Sequence, residues 1–149
     1  MKLRHFIAGM VFTAISSTAF ADLDAWTDYD ISEGVSNVTT IKVHSNMIDK
    51  YLEGLATTWA PSNDVAIELG QIKGYNIYVS DLPNSGDFNV VLVVQMENAA
   101  ALQPSKARFD AFMAKWGKDN QEKSDAVVVT YPDMRTITGE YLLREITFK

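Results

Sequence analysis

The order in which two hydrophobic periods occur along the chain is the feature that most restricts its fold. From Asn37 to His44 the sequence is rich in β-branched residues, which is typical of a strand. After this strand, apolar residues recur at the spacing of one helix face: Ile48, Tyr51, Leu52, Leu55, Ala56 and Trp59. We expect this helix to break near Ala60, before Pro61, and a second helical piece to follow over 63–69.

Two further strand patterns follow, over 72–80 and 88–96, and a cluster of turn-forming residues at 81–87 separates them. The second pattern is nearly all apolar, and its alternate residues point to opposite sides of a sheet. We expect one side to face the core and the other to be semi-polar. The core-facing set is Phe88, Val90, Leu92, Val94 and Met96.

The last third of the chain adds one helical face and one long strand pattern. After Pro104, helical spacing relates Phe109, Phe112, Met113 and Trp116. The stretch 119–130 favours a helix, although its valines also suit a strand. A final strand is predicted over 135–148, with one face made by Ile137, Tyr141 and Leu143 and the other by Leu142, Ile146 and Phe148.

The predicted elements therefore follow the order strand, helix, strand, strand, helix, strand, which is the pattern of ferredoxin-like α+β folds. In such a fold a four-stranded antiparallel sheet carries its helices on one face. The other face would here hold apolar and aromatic side chains, which a soluble monomer does not expose as one large patch. We expect a partner to cover that face.

Residues 1–21 have the composition of a secretory signal peptide. Lys2 and Arg4 precede a run of ten apolar or small residues, 6–15, and the segment ends in the A-x-A sequence at 19–21. The run is shorter than the ~20 residues that span a bilayer, so we expect cleavage between Ala21 and Asp22 rather than a retained anchor. An uncleaved anchor or a buried helix is the alternative. Cleavage implies a periplasmic or secreted protein.

The charge balance excludes several classes of partner. The whole chain has 13 basic and 19 acidic residues, and loss of Lys2 and Arg4 leaves 11 basic ones, a formal net charge of −8. Nucleic acids and anionic membranes require clustered cations, and the chain has no such cluster. The absence of cysteine excludes disulfides, thiolate nucleophiles and cysteine-based metal sites.

The chain after the leader is interpreted as one domain with an acidic extension. Residues 22–36 contain five carboxylates among two aromatic residues, and we expect an acidic N-terminal arm that is partly ordered or frayed. Residues 37–149 show no internal repeat or linker, so they are predicted to form a single ferredoxin-like domain.

Several stretches resemble the dimeric α+β barrel superfamily, in which two such sheets pair face to face. They are Thr39–His44, Tyr51–Leu55, Thr58–Trp59, Tyr75–Tyr78, Phe88–Val94 and Phe109–Phe112. Within residues 38–148 the pattern is most similar to the branch of antibiotic-biosynthesis monooxygenases and NIPSNAP-type proteins. The resemblance implies a homodimer, but activities in the superfamily range from cofactor-free oxygenation to none known, so it implies no single function.

The candidate site residues are few. After cleavage His44 is the single histidine, at the end of the first strand, and it is either a solvated residue or a proton-transfer group. A ligand-binding set is predicted from the strands and helix that would border a cavity, against the alternative of plain core packing: Trp59, Tyr75, Tyr78, Tyr141 and Arg144. We expect no metal site and no cofactor, because one histidine and scattered carboxylates match no ligand pattern.

Three functions remain open at this point. The first is an exported protein that binds a small apolar ligand or a protein partner. The second is a cofactor-independent monooxygenase or isomerase that uses His44 and nearby tyrosines. The third is a structural or assembly protein without a ligand, which would use the acidic arm and the open sheet as contact surfaces.

Overall fold

The computed structural model of the protein describes residues 22–82 and 84–149. The predicted leader, including Ala21, lies outside the described residues, as does Pro83 of the predicted turn. Asp22, the residue after the predicted cleavage point, is the first one described. Among the described residues, no helix combines the length and the apolar character that crossing a membrane requires.

Within these ranges the chain forms six strands and four helices of ten or eleven residues. In chain order they are β1 (Tyr29–Ile31), β2 (Val35–Val43), α1 (Ile48–Thr57), α2 (Trp59–Glu68), β3 (Gly74–Val79), β4 (Val90–Met96), α3 (Lys106–Trp116), α4 (Lys118–Val128), β5 (Arg135–Leu143) and β6 (Ile146–Phe148).

A four-stranded antiparallel sheet in the order β3-β4-β2-β5 forms the centre of the fold. In chain order, α1 and α2 connect β2 to β3, and α3 and α4 connect β4 to β5, which is the ferredoxin-like arrangement. This confirms the predicted α+β fold class. Residues 119–130 are helical up to Val128, as favoured from the sequence.

The break between the first two helices lies earlier than predicted. It falls at Thr58, whose φ of −129° is not helical, whereas Pro61 is the third residue of α2. A proline is tolerated there because the first-turn N–H groups have no partner within the helix. The expected break near Ala60 was therefore wrong by two residues.

The last strand is interrupted twice, which corrects the predicted faces. Thr40 pairs with Gly139 and Ile41 pairs with Ile137, so Thr138 is an extra residue that forms a β-bulge. The bulge puts Ile137 on the face opposite to Tyr141 and Leu143, with which it was grouped. A second interruption at Arg144 and Glu145 separates β5 from β6.

Part of the acidic segment 22–36 is integrated into the domain. β1 pairs with β6, so that Tyr29 lies opposite Phe148 and Ile31 opposite Ile146. The Nζ of Lys149 lies 3.0 Å from a carboxylate oxygen of Asp30. Strand β2 begins at Val35, two residues before the boundary expected from the sequence.

One face of the sheet packs on the helices and forms the core. Ile41 and Val43 of β2 and Val90 and Leu92 of β4 are buried there against Tyr51, Leu55, Tyr131 and Met134. Val90, Leu92 and Met96 are buried as predicted. Val94, on the same face, is half-buried, whereas Phe88 precedes β4 and is 42% exposed.

Tyr51 and Tyr131 form an aromatic pair that contacts a guanidinium group. Their rings pack edge to face with centroids 5.1 Å apart, and the Arg135 guanidinium carbon lies 5.5 and 5.1 Å from the two centroids. The Tyr131 hydroxyl lies 3.2 Å from Oγ1 of Thr58. The fully buried Tyr51 hydroxyl has no hydrogen-bond partner among the described residues, and burial raises the pKa of Tyr51 to about 12.

We expect Tyr51→Phe to leave the free energy of unfolding at pH 7 unchanged or higher, because it removes a buried hydroxyl that has no partner. Above pH 10 the unfolded wild type releases the Tyr51 proton while the folded state keeps it, so stability falls as pH rises from 10 towards 12. Two pKa units correspond to roughly 3 kcal/mol. Denaturant unfolding at pH 7 and between pH 10 and 12 should show that Tyr51→Phe reduces this loss of unfolding free energy at high pH.

Tyr131→Phe is the matched control. It deletes a hydroxyl that is bonded to Thr58 and should cost about 1 kcal/mol at pH 7. Equal losses at pH 7 for the two variants would contradict the assignment of an unsatisfied hydroxyl to Tyr51.

Candidate functional site

A cavity of about 630 Å³ lies at the end of the sheet where β2 and β3 end and the chain enters β4. We call it the His44 cavity. Its polar lining consists of Lys42, His44, Ser45, Asn46, Ser80, Asp81, Ser85 and Asn89. Its apolar lining consists of Val43, Ile48, Val79 and Leu82. None of these described lining residues is phenylalanine, tyrosine or tryptophan, so the cavity differs from the aromatic-walled pocket expected for an apolar ligand.

His44 is held in place through both its backbone and its ring. Its N–H group donates to the carbonyl oxygen of Met134 at 2.8 Å, and its Nδ1 lies 3.2 Å from the carbonyl oxygen of Asp133. A carbonyl oxygen only accepts hydrogen bonds, so this contact is a hydrogen bond when Nδ1 carries the ring proton. Nε2 is then left as an acceptor of a hydrogen bond or a proton.

Asn89 fixes the strand end that carries His44. Its side-chain Oδ1 accepts from the N–H of Val43 at 2.7 Å, and its Nδ2 donates to the carbonyl of Val43 at 2.9 Å. Its own N–H donates to Ile41, and its carbonyl accepts from Ser80. Asn89 therefore ties the ends of β2 and β3 together just before β4 begins.

Two charged residues of opposite sign line the same cavity. Lys42, in the last part of β2, donates from Nζ to the carbonyl oxygen of Gly86 at 2.7 Å. Asp81 follows β3 and is exposed. The cavity thus offers one cation, one anion and several neutral polar groups.

Trp59 and Tyr75 meet on the helix side of the sheet, away from the His44 cavity. Their rings pack edge to face at 5.1 Å, and the Tyr75 hydroxyl donates to Oδ1 of Asp64 at 3.0 Å. Desolvation, and to a lesser degree this hydrogen bond, raise the pKa of Tyr75. Trp59 also lines a cavity of about 160 Å³ with Thr58, Ser62, Ser124, Val128 and Tyr131.

Tyr78 and Tyr141 lie on the sheet face opposite to the helices. Tyr78 pairs with Val91, and Tyr141 pairs with Val38, all of them on that face. The two tyrosines are 56% and 50% exposed. The Tyr141 ring lies over Gly139, where a Cβ would come within 2.8 Å of ring carbons.

Arg144 connects the two ends of the described chain. In the interruption between β5 and β6, its Nη1 donates to the carbonyl oxygens of Ser32 and Glu33, each at 2.9 Å. It lines none of the cavities described above. Its contacts hold the segment between β1 and β2.

The structure therefore does not bring the six sequence candidates together. His44 lines one cavity, Trp59 and Tyr75 meet behind the sheet, Tyr78 and Tyr141 occupy its exposed face, and Arg144 binds the N-terminal segment. An oxygenase or isomerase that combined His44 with neighbouring tyrosines would lack those tyrosines in this arrangement. Among residues 22–82 and 84–149 there is also no group of three or more potential metal ligands.

Sequence reasoning did not identify Asn89 or the Asp133 carbonyl. Asn89 is one of the alternate residues on the predicted semi-polar side of 88–96, and the local sequence does not indicate its partner Val43, which is 46 residues away. Every residue has a main-chain carbonyl, so the residue type at position 133 does not reveal that its carbonyl accepts from His44. The turn-forming sequence Pro132–Asp133 just before the last strand was the nearest available signal.

No protein-family model matches this chain, and no curated protein matches its sequence. Several solved structures are similar to it at low identity, and we compare three of them. HapK from Hahella chejuensis has 12% identity and a TM-score of 0.44, and the match covers 74% of this chain and 91% of HapK.

The other two are described as dimeric ferredoxin-like proteins of unknown function. The one from Bacteroides fragilis has 8% identity and a TM-score of 0.42, covering 78% of this chain and 98% of that one. The one from Thermobifida fusca has 8% identity and a TM-score of 0.39, covering 78% and 92%. At these scores the fold assignment rests on the strand order and helix placement.

We expect Asn89→Leu, which is nearly isosteric, to lower the free energy of unfolding by roughly 2–3 kcal/mol, because it leaves the partly buried N–H and carbonyl of Val43 unpaired. Denaturant unfolding measures this loss. Asn84→Leu, at an exposed position of the same hairpin, is the matched control and should change stability by less than about 0.5 kcal/mol. An equal effect of both variants would contradict the role of Asn89.

Proposed function

We propose that this chain is an exported binding protein that acts as a homodimer, with the exposed face of its four-stranded sheet as the contact between the two copies. The observation that carries the proposal is the composition of that face. We call it the open sheet face and define it by the residues that alternate with the buried ones: Val38, Tyr78, Val91, Val93, Tyr141 and Leu143.

The open sheet face is apolar at its centre. Val93 pairs with Val38 on one side and with Asn76 on the other, and Tyr141 lies opposite Val38. Tyr141 and Leu143 are each 50% exposed in the single chain. A contiguous apolar patch on a sheet is a typical interaction surface, because its burial removes apolar area from water.

The charge distribution favours a second copy as the occupant. The chain has a formal net charge of −6, or −8 without residues 1–21, so two copies repel least when they meet at a face that lacks acidic residues. The alternate positions that share this face with the apolar residues are Ser36, Thr40, Lys42, Gly74, Asn76, Gln95, Thr136 and Gly139, none of which is acidic. The resemblance of residues 38–148 to the dimeric α+β barrel superfamily implies the same face-to-face pairing.

We expect Val93→Glu to convert the dimer to a monomer. The substitution places a carboxylate at the centre of the open sheet face, where it is solvated in one copy but buried and unpaired in the dimer. Burial of an unpaired charge costs about 3–5 kcal/mol, so the dissociation constant should rise at least roughly a hundredfold. Sedimentation equilibrium measures it.

Val129→Glu is the matched control, because Val129 is 73% exposed at the end of α4 on the helix side. It should leave the dissociation constant unchanged. A wild-type protein that sediments as a monomer at micromolar concentration, or a Val93→Glu variant that dimerises as well as the wild type, would refute the proposed interface.

Export is the second part of the proposal, and it is supported by the composition of residues 1–21. We expect the protein recovered from the periplasm or medium of a Gram-negative host to begin at Asp22. Ala21→Arg should prevent cleavage, because the site requires a small residue. N-terminal mass spectrometry measures the product, Ala25→Arg is the matched control, and a secreted chain that retains the leader would contradict this part.

A further inference from the structure

The His44 cavity presents a hydrogen-bond acceptor of fixed orientation. The contact between Nδ1 of His44 and the carbonyl of Asp133 favours the tautomer with the proton on Nδ1, and the backbone bond to Met134 holds the residue at the strand end. Nε2 of the neutral ring therefore offers a lone pair to a molecule in the cavity. Asn89 bonds both backbone groups of Val43, the residue that precedes His44.

The remaining lining indicates what kind of molecule fits. Ile48 and Val79 provide apolar contacts, while Ser45 and Ser80 provide hydroxyl groups that both donate and accept. A volume of about 630 Å³ lies within the range of small-molecule sites. The cavity suits a compact molecule with an apolar body and a hydroxyl group.

The charges argue for a neutral ligand. Lys42 and Asp81 have opposite signs, and the Lys42 ammonium group already donates to the carbonyl of Gly86. The net charge of −6 on the chain disfavours an anion. A cation would place positive charge near the ammonium group of Lys42.

We propose that the His44 cavity is a binding site for a small neutral molecule with an acidic hydroxyl group, such as a phenol or an enol, whose O–H donates a hydrogen bond to Nε2 of His44. The site borders the open sheet face at Lys42, but the other lining residues of the cavity lie outside the set that defines that face. It gives His44 a role in binding that needs no tyrosine beside it.

The tautomer is tested by nitrogen-15 NMR of the histidine rings. The chain contains two histidines, His5 and His44, and the signals that disappear in His44→Ala belong to His44. At a pH where the ring is neutral we expect the proton on Nδ1. A proton on Nε2 would overturn the proposal.

Binding is tested with phenol and with anisole, which has the same ring but no hydroxyl proton. We expect phenol to shift the Nε2 signal of His44 and the amide signals of Val79 and Ser80. Anisole should bind roughly tenfold more weakly, which is the loss of about 1.4 kcal/mol expected for one hydrogen bond. His44→Ala should weaken phenol binding by a similar factor.

Tyr75→Phe is the control, because Tyr75 lies beside Trp59 on the helix side and should not affect phenol binding. Amide spectra of each variant verify that it is folded. Equal affinity for phenol and anisole, phenol binding that survives His44→Ala, or no phenol-dependent shift at all would each overturn the proposal. None of these results depends on whether the protein is a dimer.

Discussion

The two-sided pairing of β2 is the interaction on which the rest of the structure depends. β2 is hydrogen-bonded to β4 along one edge and to β5 along the other. Its inward residues Val35, Ile41 and Val43 are almost fully buried, and its end carries His44. The core, the open sheet face and the His44 cavity therefore all contain residues of β2 or of its end. The position of His44 follows from the packing of Ile41 and Val43.

The two surfaces that we associate with function differ in chemistry because they lie on different parts of the sheet. The open sheet face is built from alternate residues in mid-strand, where the pleat lines up apolar side chains. The His44 cavity lies where strands end, so backbone groups released from the ladder are bonded by side chains such as Asn89 instead. An apolar surface suits a large, flat partner, whereas a polar cavity suits a small molecule with directed hydrogen bonds.

Local pattern was sufficient for much of the fold. The alternation in 88–96 predicted the burial of Val90, Leu92 and Met96, and helical spacing predicted α1 and α3, because both periods are properties of the backbone itself. The bulge at Thr138 could not be predicted, since it depends on the register against β2. The candidate site was harder still. Asn89 and Arg144 act on residues 46 and more than 110 positions away, and the partner of the His44 ring is a main-chain carbonyl.

The pairing of β1 with β6 joins the first described strand of the chain to the last. The pairing of β2 likewise requires β4 and β5, which come much later in the sequence. Contacts of such long sequence separation form slowly, because a large loop must close before they contribute stability. A nascent chain that still lacks its last dozen residues has no partner for Tyr29–Ile31 and only one neighbour along much of β2. We therefore expect the complete sheet to close only late in synthesis, once β5 and β6 are available.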